Sequence, residues 1–220
     1  MQKFAVIVAG GSGKRMGAEL PKQFIALQGL PILMHTLKAF HFDDIKILLV
    51  LPDHQTDHWN QLVATHRFDV PHQLVKGGKE RFHSVQNGLN TIAESDGLVA
   101  IHDGVRPLVD RNIIRKSYEI AYTKGSAVAS IPLKDSIRSV DHSGNQQEDR
   151  NQFRLIQTPQ TFQLRLIKKA FEQPYNTSFT DDASVLEAAG HAIHLIEGNY
   201  KNIKITTPED LLIAQSFLNV

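Results

Sequence analysis

The sequence predicts an α/β fold in three layers: a mostly parallel central sheet, helices on both of its faces, and a projecting β-hairpin arm. Three observations carry the prediction. Short apolar runs look like buried strands. Longer amphipathic stretches alternate with them in βαβα order, which argues for parallel strands joined by crossover helices. One polar stretch breaks the alternation and is too poor in apolar residues to pack as a layer.

In chain order, "FAVIVA" (4–9) reads as the first strand, and "ILMHTLKAF" (32–40) as the first amphipathic helix. "ILLVL" (47–51) is the next strand. "DHQTDHWNQLVATHRF" (53–68) follows as a helix, with Asp53 its expected N-cap. "ERFHSVQNGLNTIAE" (80–94) is a helix, "LVAIHD" (98–103) a strand, and "RNIIRKSYEIAYTKG" (111–125) a helix opening on Asp110. "SAVASIPL" (126–133) is a strand. The polar stretch "KDSIRSVDHSGNQQEDRNQF" (134–153) alternates in "SIRSV" and carries a turn signal in "HSGN", so a hairpin arm is expected over about 134–153. A flexible surface loop is the plainer alternative. Thr180 is expected to cap a later helix, and the apolar positions of "DLLIAQSFL" (210–218) are expected to pack in the core. Chain length fits one large domain, 1–220, with the arm as an appendage.

Composition narrows the function. The net charge is +1, so no global field gathers nucleic acid or anionic membrane, and anion binding must come from local clusters. There is no cysteine, which excludes disulfide and thiolate chemistry and suits a reducing compartment. The N-terminal apolar run is cut short by glycines and cations, too soon for a signal sequence, and no run of about 18 apolar residues occurs. A cytoplasmic protein is expected.

The segment behind the first strand, "AGGSGKRMGAELPKQF" (9–24), holds four glycines with Lys14, Arg15 and Lys22. A Walker loop would need Gly where Val8 stands and Ser or Thr where Arg15 stands. The dinucleotide fingerprint started at Gly11 fails at Met16. What remains is a glycine loop whose amides can approach phosphate oxygens, with Arg15 able to fork onto two of them and Lys22 acting as a mobile charge. A tight strand-to-helix turn with solvated basic residues would look the same from glycines alone.

Further motifs decide. "GGSGKRMG…PKQF", "GGKERFHSVQNGL", "HDGVRPLV", "IPLKDSIR", "QTPQTF", "TDDASVLEAAG" and "NIKITTPEDL" occur in order across nearly the whole chain. Together they resemble the 2-C-methyl-D-erythritol 4-phosphate cytidylyltransferases, within the wider group joining nucleoside triphosphates to sugar or polyol phosphates. The resemblance implies a Rossmann-like sandwich and a reaction of CTP with a polyol phosphate, giving a CDP-polyol and pyrophosphate. It implies Arg15, Lys22 and Lys204 as the catalytic cations on the triphosphate. It implies Ala9, Gly10, Gly11, Gly13, Gly78, Ser84, Asp103 and Thr158 as nucleotide-binding residues, and Arg106, Ser136 and Arg150 as acceptor-binding residues. Mg²⁺ or another divalent cation would be held mainly by CTP phosphates, with no protein ligand named. The arm would cross to a second copy and complete its acceptor site, making a homodimer. The chain departs from the family in Gly104-Val105, where Ala-Ala is frequent, in Ser136, where Thr is frequent, and in Lys79.

Two other readings share these motifs: a ribitol-5-phosphate cytidylyltransferase, and a catalytically silent nucleotide-binding module. Asp103 also reads as a plain turn residue. His54 and His58 have metal-ligand spacing but no evident third ligand, and "DHQTDH" reads as a solvated face.

Overall fold

A computed structural model describes residues 1–10 and 20–218 of the chain. One sheet holds seven strands: β1 (Lys3–Val8), β4 (Lys46–Leu51), β5 (Gln73–Lys76), β6 (Leu98–Asp103), β7 (Ser126–Pro132), β10 (Arg154–Gln163) and β11 (Leu195–Glu197). Their order across the sheet is β11-β7-β10-β6-β1-β4-β5. Six run parallel, and β10 alone is reversed between β6 and β7. β2 (Ala26–Leu27) and β3 (Leu30–Pro31) make a small separate ladder.

Both faces are covered, which is why the strands read as continuous apolar runs. In β1, Ala5 and Ile7 face α1 (Ile32–Phe40), α2 (Thr56–Thr65) and α4 (Arg111–Lys124), packing with Leu37, Trp59 and Ile114. Phe4, Val6 and Val8 face the other way, with Phe82, Val85 and Leu89 of α3 (Arg81–Thr91), Ile167 of α5 (Leu164–Ala170) and Leu186 of α6 (Asp182–Ala188). The two-residue period of the pleat sorts one strand into two cores. A third cluster joins Leu27, Ile32 and Val105 to Ile205 and to Ala214 of α7 (Pro208–Leu218). Among the described residues no helix is long and apolar enough to cross a membrane.

The expected strands and the first four helices are present within a few residues. Asp110 caps α4, accepting from the Asn112 N–H at 2.7 Å, and Gly125 closes that helix with φ 88°. Two expected caps are corrected. Asp53 lies inside a short 3-10 turn, and its carboxylate pairs with Lys76 at 2.7 Å. Thr180 is displaced as a cap by Asp181, which forms a capping box with Ser184. The core expectation for 210–218 holds for Leu211 and Ala214 but not for Leu212 and Ile213, which are exposed.

The polar stretch is a hairpin. β8 (Ile137–Asp141) pairs antiparallel with β9 (Gly144–Glu148) across a two-residue turn, and Gly144 takes φ 141°. It forms its own two-stranded sheet.

Candidate active site

Parallel sheets bind ligands beyond their carboxyl ends, where the winding reverses. Here β1, β4 and β5 step one way and β6 lies on the other side of β1, so the reversal falls between β1 and β6. A pocket of about 310 Å³ opens there. The end of β1 contributes Ala9 and Gly10, the turn after β5 contributes Gly77 and Gly78, and β6 contributes Asp103. Backbone bonds continue past the strand ends: Ala9 N–H donates to Val50 C=O at 3.0 Å, Gly77 N–H to Leu51 C=O at 2.7 Å, and Gly104 N–H to Val8 C=O at 2.8 Å. Lys22, Lys204, Ser84 and Arg81 also line it.

The glycine turn is sterically fixed. A Cβ on Gly78 would lie 2.4 Å from His83 Cβ and 2.8 Å from its backbone carbon. Gly78 N–H donates to Ser84 Oγ at 3.0 Å, and that hydroxyl donates to Glu80 C=O at 3.1 Å. Ser84 therefore shapes the turn from beneath.

Asp103 is the electrostatic centre. Its carboxylate meets Lys204 Nζ at 3.1 Å, Arg106 Nε at 3.4 Å and Arg81 Nε at 3.5 Å. Burial would raise its pKa, but the Arg81, Lys204 and Arg106 charges win and hold the carboxyl below the usual range. Lys204 is placed by its neighbour: Ile205 is buried, and its N–H donates to Val105 C=O at 2.9 Å. Arg106 turns inward, donating to Asn202 C=O at 2.8 Å.

Behind Asp103 stands a buried chain of hydrogen bonds. Asp103 N–H donates to Thr158 Oγ1 at 3.1 Å, and that hydroxyl lies 3.0 Å from His102 Nδ1. His102 Nε2 faces Arg106 C=O at 3.1 Å. A carbonyl only accepts, so Nε2 carries the proton, Nδ1 accepts, and Thr158 donates. Burial pushes the His102 pKa down from 6.5 to about 4, so the ring is neutral. Thr158 lies within the register shift of β10 between Ile156 and Gln160.

The structure thus gathers Ala9, Gly10, Lys22, Gly78, Ser84, Asp103 and Lys204 at one pocket, with Thr158 and Arg106 behind it. Gly11, Gly13 and Arg15 lie outside the described residues. Ser136 and Arg150 line a different cleft, of about 430 Å³ at the base of the hairpin, where Arg150 donates to Lys134 C=O.

Sequence reasoning missed Arg81 and Asp182. Arg81 donates through Nη1 and Nη2 to the two Asp182 oxygens at 2.8 and 2.7 Å. Burial lowers the Arg81 pKa, and the carboxylates of Asp182 and Asp103 reverse that, raising it overall. A signal was present: an arginine at the first position of a helix opposes the helix dipole, so it calls for a carboxylate partner.

The chain matches the family described as IspD, 2-C-methyl-D-erythritol 4-phosphate cytidylyltransferase, over residues 3–220. The chain belongs to this family. It is 47% identical to the 2-C-methyl-D-erythritol 4-phosphate cytidylyltransferase of Bacteroides thetaiotaomicron and 48% identical to that of Bacteroides fragilis, each alignment covering 99% of this chain and 100% of the relative. Among solved structures, the cytidylyltransferase of the same name from Thermus thermophilus superposes with a TM-score of 0.81 at 28% identity, covering all of both chains. The 4-diphosphocytidyl-2C-methyl-D-erythritol synthase of Anaerococcus prevotii gives 0.84 at 27%, covering 100% of this chain and 96% of that one. The three-layer sandwich expected from the sequence is the fold of these proteins, and the protein is a nucleotidyltransferase of the cytidylyltransferase class.

Proposed function

We propose that the pocket around Asp103 is where this chain performs its reaction, as a single nucleotidyltransferase domain over 1–220 with a β-arm. The reaction transfers CMP from CTP to 2-C-methyl-D-erythritol 4-phosphate, giving 4-diphosphocytidyl-2-C-methyl-D-erythritol and pyrophosphate. A phosphate oxygen of the acceptor attacks the α-phosphorus of CTP. The bond from that phosphorus to the bridging oxygen breaks, and pyrophosphate leaves with the electron pair. The nucleophile is already anionic near neutral pH, so the step needs alignment and charge neutralisation more than a base.

The carrying observation is the convergence of Lys22, Lys204, Gly78 and Asp103 on one pocket at the sheet's switch point. Lys22, Lys204 and Arg15 serve the triphosphate. Ala9, Gly10, Gly11, Gly13 and Gly78 hold the nucleotide, with Ser84 and Thr158 fixing the walls. Among the described residues no cluster of three metal-ligating side chains occurs, and Asp103 already faces three cations. A divalent cation, Mg²⁺ by preference, would be carried mainly by the triphosphate oxygens. When bound it would neutralise charge on the phosphates.

Arg106, Ser136 and Arg150 are assigned to the acceptor, the last two across a homodimer. An isolated two-stranded hairpin is marginal in water, and Val140, Phe153, Leu155 and Ile156 are exposed on and beside it. A second copy would cover them. A cytoplasmic location is part of the same proposal.

The test is pyrophosphate release with CTP and methylerythritol phosphate, beside UTP and ribitol 5-phosphate. CTP and methylerythritol phosphate should be strongly preferred, because a pocket built to pair with the cytosine amino group leaves polar groups unmatched on uracil. Equal turnover of UTP removes the cytidine assignment. Equal turnover of ribitol phosphate removes the acceptor assignment.

A further inference from the structure

Five charged side chains meet at the inner wall of the pocket and just behind it. Two are carboxylates, Asp103 and Asp182, and three are cations, Arg81, Arg106 and Lys204. They differ in freedom. Asp182 is 1% exposed and Asp103 10%, Arg106 is 12% exposed, while Lys204 is 41% exposed and reaches Asp103 by one contact of 3.1 Å.

Arg81 is held from two sides. The end of its guanidinium forks onto Asp182, and its Nε edge faces Asp103. Asp182 is itself rigid. Its helix begins on the Asp181–Ser184 capping box, and Gln160 of β10 ties that start down by donating to Asp181 Oδ2 and accepting from Ala183 N–H, both at 2.8 Å. The next residue, Phe82, stacks on Phe171 and Phe179 at 4.7 and 5.8 Å, which anchors the first turn of the arginine's helix.

The count of charges gives the arrangement a consequence. With Lys204 on Asp103 these five groups carry one surplus positive charge, and Asp181, the helix cap beside Asp182, adds one more carboxylate next to them. When Lys204 leaves, two cations still face two carboxylates, so no buried carboxylate is left unpaired. Leaving one unpaired is what makes breaking a buried pair strongly unfavourable.

We propose that Arg81 and Asp182 are positioning residues for nucleotidyl transfer. Asp182 fixes Arg81 against Asp103, and that arrangement releases Lys204 to a substrate phosphate. Lys204 is the transferable cation of the cluster, and Arg81 is what makes it transferable. This rests on the reading of Lys204 as a phosphate-binding cation.

A double-mutant cycle tests it on the full-length enzyme. Arg81→Gln should lower kcat by roughly 10- to 100-fold, because Lys204 is then retained by Asp103. In a Lys204→Gln background the same change should lower kcat by no more than about threefold, since there is no lysine left to release. Asp182→Asn should reduce kcat about tenfold in the native chain, with the KM for CTP changed by less than about threefold, and should add nothing to Arg81→Gln. A purely structural role would instead lower the unfolding midpoint and leave kcat per folded enzyme unchanged. If Asp182→Asn does not fold, Arg81→Lys carries the same cycle, because an ammonium cannot fork onto one carboxylate and face another through Nε.

The proposal is overturned if the Arg81 and Lys204 losses multiply, or if Arg81→Gln keeps native kcat. If Lys204→Gln alone keeps native kcat, the phosphate role of Lys204 falls and the proposal with it. A crippled Lys204→Gln with multiplicative losses overturns this proposal and leaves the phosphate role of Lys204 standing.

Discussion

Replacing Thr158 by valine tests what holds the Asp103 wall in place. Valine nearly matches threonine in shape but has no hydroxyl. Thr158 is 4% exposed, and its oxygen both accepts from Asp103 N–H and donates to His102 Nδ1. The variant therefore leaves two buried polar groups unpaired. Each costs about 1–3 kcal/mol, so the expected loss is about 2–6 kcal/mol, against a total stability of about 5–15 kcal/mol. Thr158→Ser keeps the hydroxyl and loses one methyl, worth about 1 kcal/mol. Urea unfolding of both variants near neutral pH separates the two. A second reading comes from pH. His102 has a folded pKa of about 4 against 6.5, so folding favours its neutral form. Its contribution is intact above pH 6.5 and is lost as pH falls from 6.5 to about 4, roughly 3 kcal/mol in all. Losing the Thr158 donor weakens the neutral form, so this acid loss should shrink in Thr158→Val. His35, whose pKa burial also lowers, contributes with the same sign in both proteins and cancels from the comparison. Equal urea midpoints for the valine and serine variants would refute the hydrogen-bond account of this wall.

Lys22→Ala should lower kcat by roughly 10²-fold while weakening CTP binding less, since only interactions stronger in the transition state accelerate the step; near-native kcat removes Lys22 from the catalytic set. Gly78→Ala should destabilise the fold by about 1–3 kcal/mol and raise the KM for CTP, because the added carbon meets helix backbone that cannot yield; an unchanged urea midpoint and KM would contradict the steric argument. Arg150→Ala should raise the KM for the polyol phosphate and leave that for CTP nearly unchanged. If the arm is shared across a dimer as proposed, mixing the Lys22→Ala and Arg150→Ala proteins under subunit exchange should recover up to about a quarter of native activity, as half the dimers are mixed and each has one good site in two; no recovery despite exchange places the arm's action within its own chain.

The parallel half of the fold was legible because burial on both faces leaves unmistakable apolar runs, as in "FAVIVA" and "LVAIHD". β10 was not read as a strand, although it lies in the middle of the sheet. Gln157, Thr158, Gln160 and Thr161 are all buried there, with Pro159 among them, and the polar run hides the strand. Each polar group is satisfied by a partner remote in sequence: Gln157 by Asn199, Gln160 by Asp181, Thr161 by Ser117. The same remoteness hid Arg81 and Asp182, which are 101 positions apart. Lys22, Asp103 and Lys204 were readable because each sits in a local motif, although their convergence on one pocket is a product of strand order.

The reversed strand also determines where the arm leaves the sheet. β7 runs parallel to β6 and ends at Pro132, at the same end of the sheet as Asp103. The hairpin follows, and β10 returns from it antiparallel to both neighbours. The arm therefore leaves the sheet at the pocket's end, and the strand after it leads into the register shift that contains Thr158, the partner of Asp103 N–H. Had β10 been parallel, its crossover would have carried the chain to the far end before re-entry. With the arm at the pocket's end, a two-fold related copy has a direct route for bringing Ser136 and Arg150 toward its neighbour's pocket. Under the dimer proposal, one reversal of direction links the support of a chain's own nucleotide wall to the delivery of acceptor ligands to its partner.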